Sequence, residues 1–126
     1  MQYPRAVMIH GLADAKQALA PGRPVTLLSA PGAASYAGCR WWLELLAAAA
    51  ATGPALLDCG DAPGRAMEAL KCGVNGIVLQ CEQPVFQAVA GLAAAQGTIL
   101  LATAPPSLDL SAPGASRLLA AWLDDI

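Results

Sequence analysis

Five short apolar runs, AVMI (6–9), VTLL (25–28), ALL (55–57), GIVL (76–79) and TILL (98–101), punctuate the chain, and none alternates apolar with polar residues. A strand with one face in water alternates; a strand covered on both faces does not. Between the runs lie segments of helical character at 12–19, 37–51, 62–72, 84–96 and 112–124. Pro21-Gly22, Gly53-Pro54, Gly73 and Gly97 stand just before the second to fifth runs, where a helix must end and the chain reverse. This spacing predicts consecutive βα units in one α/β domain over residues 1–126. The expected architecture is a three-layer α/β/α sandwich with about five mainly parallel strands, Rossmann-like or flavodoxin-like, in a doubly wound order such as 2-1-3-4-5 or 3-2-1-4-5. Pro105-Pro106 break the fifth run, and Leu118, Leu119, Trp122 and Leu123 give the last helix a stripe to lay on the sheet.

The charge pattern narrows the partners. Seven Lys and Arg against nine Asp and Glu give a net charge of −2 with no basic stripe, so no nucleic-acid partner is expected. The longest uncharged apolar stretch, Leu45 to Leu57, contains Gly53-Pro54 and falls short of a membrane span. The apolar start of the chain is interrupted by His10, Asp14 and Lys16 before it reads as a signal peptide. The four cysteines, Cys39, Cys59, Cys72 and Cys81, form no C-x-x-C pair, and the chain has one histidine, so neither a metal site nor a cofactor is expected. They read as reduced thiols in a bacterial-type cytosol, and a cytoplasmic location is the expectation.

In an open parallel sheet, ligands sit beyond the carboxyl ends of the strands, where helix N-termini direct free N–H groups at a cleft. The polar residues at the run ends therefore form the candidate site. His10, Asp58 and Cys59 are the candidate catalytic groups, His10 as an acid or base near neutral pH and Asp58 as a carboxylate ending a buried strand. Ser29, Gly32, Asp58, Gly60, Asp61 and Cys81 are the candidate ligand contacts, around a polar cleft expected to be the deepest in the molecule. In DCGDAPG (58–64), Asp61 precedes a Pro-containing first helical turn and reads as its N-cap. In SAPGAAS (29–35), Gly32 can take positive φ and turn backbone N–H groups toward an anion. Cys59 and Cys81 end strands expected to be neighbours. The G-x-G-x-x-G, G-x-x-x-x-G-K-[ST] and G-x-S-x-G signatures are absent, as are a receiver's acidic pair and lysine. What remains is a protein that binds a small polar or anionic metabolite, with a non-catalytic homo-oligomeric assembly or regulatory protein as the alternative.

The segment GRAMEALKCGVNGIVLQ, residues 64 to 80, resembles the helix-to-strand half of a unit found in phosphate-handling (β/α)8 barrel enzymes, in which an alanine-rich helix ends in A-G-V-x-G-I-V. It covers about one eighth of a chain that is itself about half a barrel in length. The Schiff-base lysine of those enzymes has no counterpart at a strand end here, so no catalytic residue carries over. Association is expected on other grounds. With 56% hydrophobic and 13% charged residues the chain is short of groups that face water. In the helix YAGCRWWLELLAAAAAT, Trp41, Trp42, Leu43, Leu45 and Leu46 sweep an arc of roughly 200°, wider than one sheet covers. A homodimer or higher homo-oligomer through Trp41 and Trp42 follows, with at least one of the two outside the monomer's core.

Overall fold

Every apolar run forms a strand close to its expected place. In the computed structural model, which describes residues 3–124, these are β1 (Ala6–Ile9), β2 (Thr26–Ser29), β3 (Ala55–Asp58), β4 (Gly76–Val78) and β5 (Ile99–Leu101). A further strand, β6 (Ser107–Asp109), follows Pro105-Pro106, so the described sheet has six strands rather than about five. The β6 sequence, Ser107-Leu108-Asp109, sets one apolar residue between two polar ones directly after two prolines and so forms no apolar run, which is why the segment reads as a connection. The helices are α1 (Leu12–Leu19), α2 (Ala33–Tyr36), α3 (Cys39–Ala48), α4 (Pro63–Cys72), α5 (Gln83–Gln96) and α6 (Ala115–Asp124). The helix expected over 37–51 is α3, two residues later at its start and three shorter at its end, and the short α2 precedes it as a separate turn of helix; Gly38, at φ +90°, redirects the chain between the two.

All five strand pairings are parallel. The order β5-β4-β3-β2-β1-β6 is neither of the doubly wound orders expected. From β1 to β5 the chain always steps the same way across the sheet, and right-handed crossovers then place the intervening helices on one face. The main core shows this: Val7, Ile9, Leu27, Leu57 and Ile77 of the strands pack in one cluster with buried residues of all six helices, among them Ala18, Ala33, Trp42, Ala66, Val89 and Leu119. Helices that a doubly wound order would divide between two faces gather on this one.

The alternate strand residues form a second cluster, in which Leu28, Leu56 and Val78 are buried against Met8, Ile99, Leu101 and Ala104, with no helical member. Curvature covers them. In a flat sheet β5 and β6 would stand about 24 Å apart at about 4.8 Å per strand step. The connection from Leu101 to Ser107 spans at most about 20 Å and must also return from the carboxyl to the amino end. The parallel α/β sheet is therefore curved, with β5 and β6 as its two edge strands. At the amino end, α6 is pinned across this curl by Trp122, whose indole Nε1–H donates to the Ala6 carbonyl at 2.8 Å while the Arg5 guanidinium stacks on its ring.

Candidate functional site

The segment following β3 is where the two Asp roles are decided. Asp58 ends the strand almost fully buried, and its Oδ1 accepts the backbone N–H of Gly60 at 2.7 Å and of Gly32 at 3.1 Å. Both glycines have positive φ, +58° and +70°. The turns after β2 and β3 are thus fastened to one carboxylate, and the Gly32 N–H expected to turn toward an anionic ligand already meets a carboxylate of the protein's own. Ser29 belongs to the same fastening: its hydroxyl accepts the Asp58 N–H at 2.8 Å and donates to the Ala30 carbonyl. Ser29, Gly32, Asp58 and Gly60 are brought together, as a structural knot.

Asp61 does not cap α4. The N-cap position is Ala62, with no side-chain bond to the helix, because Pro63 at the first helical position already removes one orphan donor. Asp61 instead lines a hollow of about 320 Å³ with Pro63, Cys81, Glu82 and Val85. This hollow is not the largest in the molecule: one of about 410 Å³ lies at the amino ends, beside Val25, Gly53 and Pro54, and one of about 470 Å³ lies between the start of α3 and the end of α4. Larger space opens where helix ends diverge, whereas the carboxyl-end turns are drawn together by Asp58.

Cys59 lies beneath the knot, completely buried, and burial reinforced by the charge of Asp58 pushes its thiol up to about 12. It is a protonated thiol at neutral pH and packs as a small hydrophobe. Cys81 is half-buried and bonds toward the Glu82 carbonyl, so Cys59 and Cys81 stay separate in their bonding. Cys39 and Cys72, 33 residues apart, are the thiols in contact.

His10 has partners that sequence reading missed. Its Nε2 lies 2.7 Å from Asp109 Oδ1, on the β6 strand beside β1, and its backbone N–H donates to Asp14 Oδ2 at 2.9 Å. The same Asp109 oxygen accepts the Ser111 N–H at 2.9 Å and its hydroxyl at 2.8 Å. Burial acts to raise the Asp109 carboxyl, but the Ser111 and His10 hydrogen bonds outweigh it and hold the group below its ordinary value. A carboxylate only accepts, so Nε2 carries a hydrogen and Nδ1 presents a lone pair in the neutral ring. The carboxylate stands between serine and histidine, the wrong order for activating Ser111 as a nucleophile. The His10 and Asp109 side chains are 35% and 40% exposed, open to a ligand. No local signal identifies this pair, since its members are 99 residues apart and one sits on the unforeseen strand.

Among the described residues, no group of three or more His, Cys, Asp or Glu is placed to hold a metal ion, and no helix is long and apolar enough to cross a membrane. Neither a protein-family model, nor a curated protein, nor a solved structure matches this chain.

Proposed function

We propose that the protein binds a small polar metabolite at the carboxyl ends of its strands, anchored by the His10–Asp109 pair. The observation that carries this reading is the 2.7 Å bond that orients an exposed imidazole and leaves Nδ1 to meet a ligand. Asp14, Asp61, Glu82 and Asp109 all lie at or just after this end of the strands, and the Gly32 and Gly60 N–H groups are engaged by Asp58. A ligand offering a donor or a positive charge suits that surface better than the anion expected from the glycine turn. Amide chemical shifts measured against a panel of small amines, polyols and carboxylates test it. Shifts at His10, Asp14 and Ser111 with amines or polyols, lost in Asp109→Asn, are expected. Shifts confined to Arg23, Thr52 and Gly53 at the amino-end hollow would overturn it.

The assembly reading rests on a different surface from the one expected. Trp42 is fully buried and Trp41 packs half-buried on the same core, its ring 5.9 Å from that of Trp42. The exposed apolar residues include Val85 and Leu92 on α5 and Leu118 on α6, the helices that follow β4 and β6 and flank the unpaired edges of β5 and β6. A homo-oligomer through this seam should sediment as such and dissociate, still folded, in Leu92→Glu; a monomer at all micromolar concentrations refutes it.

A further inference from the structure

Away from the strand ends, Cys39 opens α3 and Cys72 closes α4, with their sulfurs 2.6 Å apart. Both line the hollow of about 470 Å³, and Cys72 also borders an adjoining one of about 380 Å³. Neither thiol is sealed: Cys39 is half-buried and Cys72 exposed, in contrast to Cys59. Two cations, Arg40 and Lys71, line the same hollow, while the carboxylate beside them, Glu68, is engaged 2.8 Å from Arg65. The arrangement joins three independent features: two free sulfurs already in contact, room beside them, and two cationic side chains, Arg40 and Lys71, in the lining, with Glu44 beside Arg40 in the adjoining hollow.

We propose that Cys39 and Cys72 form a reversible dithiol–disulfide site that exchanges with a low-molecular-weight disulfide bearing carboxylates. The Cys72 thiolate attacks one sulfur of the small disulfide, forming a mixed disulfide and releasing the first small thiolate. The Cys39 thiolate then attacks Cys72 Sγ, forming the Cys39–Cys72 bond and releasing the second. The two protein sulfurs lose two electrons, the small disulfide gains them, and the two thiol protons pass to the released thiolates. Cys72 takes the first step because it is the exposed sulfur, whereas burial and the neighbouring Cys72 raise the Cys39 thiol and hold back its thiolate; Cys39 resolves the mixed disulfide because its sulfur is already in contact with Cys72. A bond length of about 2.05 Å is reached from contact by a small closing movement. Arg40 and Lys71 supply the attraction for the carboxylates of the incoming molecule.

The test incubates the full chain in mixtures of reduced and oxidised glutathione, quenches with acid, alkylates and reads intact and peptide masses. The expected product has lost two hydrogens, carries a Cys39–Cys72 linked peptide and reverts on reduction. Cys39→Ser should instead accumulate a stable glutathione adduct on Cys72, and Cys72→Ser at least about tenfold less adduct on Cys39; Cys39→Ala and Cys72→Ala replace the serines if those fail to keep Cys59 protected from alkylation. Arg40→Glu with Lys71→Glu should slow the reaction with oxidised glutathione about tenfold while leaving that with uncharged hydroxyethyl disulfide unchanged. Adducts spread equally over Cys72 and Cys81 with no linked peptide would overturn the site. Equal slowing with both disulfides would overturn the recognition of carboxylates.

Discussion

Replacing Asp58 should cost far more stability than replacing Asp61, although the two carboxylates are three residues apart and Asp61 is the one whose sequence context reads as a helix cap. Asp58 Oδ1 holds two backbone N–H groups, at 2.7 and 3.1 Å, from a position that is nearly water-free. Hydrogen bonds to a charged partner are worth about 1.5–3 kcal/mol each. Gly32 and Gly60 are half-buried, so water recovers part of the loss when the carboxylate is removed. Asp58→Ala should then cost about 3 kcal/mol, and Asp58→Asn, which keeps an acceptor but no charge, about half of that. For a domain of this size each kcal/mol moves Tm by about 3–5 °C, giving a fall of about 10 °C for the alanine. Asp61→Ala removes no cap and should stay within about 0.5 kcal/mol. Thermal melts and urea titrations of the three variants decide the matter. An Asp61→Ala loss above about 1 kcal/mol, the signature of a missing N-cap, together with an unchanged Asp58→Asn, would refute the reasoning.

Three further outcomes follow from the same geometry. Gly76→Ala should cost about 3 kcal/mol or more, because a Cβ at that position runs into the Ala55 carbonyl oxygen and the Leu56 side chain of the neighbouring strand; a melt within two degrees of wild type would contradict it. The Asp109 carboxyl lies below its ordinary 3.8 when folded, so its stabilisation is present above that value and is lost as pH falls through the folded one. The stability gap between wild type and Asp109→Asn should accordingly shrink from about pH 5 toward about pH 2, and a gap that is flat or widens is the adverse result. Cys59, buried and raised to about 12, should resist alkylation at neutral pH until the protein unfolds, with Cys72 labelled first; early labelling of Cys59 by peptide mass would show the burial to be wrong.

Much of this fold is legible along the chain. Runs such as Leu27-Leu28 and Leu56-Leu57 turn apolar side chains to both faces of the sheet, and only a strand covered on both faces can bury them, so their places and parallel pairing follow from local composition. Gly73 and Gly97 end α4 and α5 in the left-handed conformation that the spacing of glycines foretells. The order of the strands is a different kind of fact. Whether β2 lies between β1 and β3, and whether β6 returns to β1, depends on which way each crossover steps, and nothing local records that choice. The site inherits the same division. The polar groups at the strand ends are visible in the sequence, but their roles are not: Asp58 becomes a knot because two turns converge on it, and Asp61 loses its helix to Ala62 and Pro63. His10 gains Asp109 across 99 residues, and Cys39 gains Cys72 across 33, through the packing of elements that periodicity describes one at a time. Local sequence sets what each segment is, because burial and backbone preference act over a few residues; the partners of its polar atoms are set only when the closed chain brings distant segments within hydrogen-bonding reach.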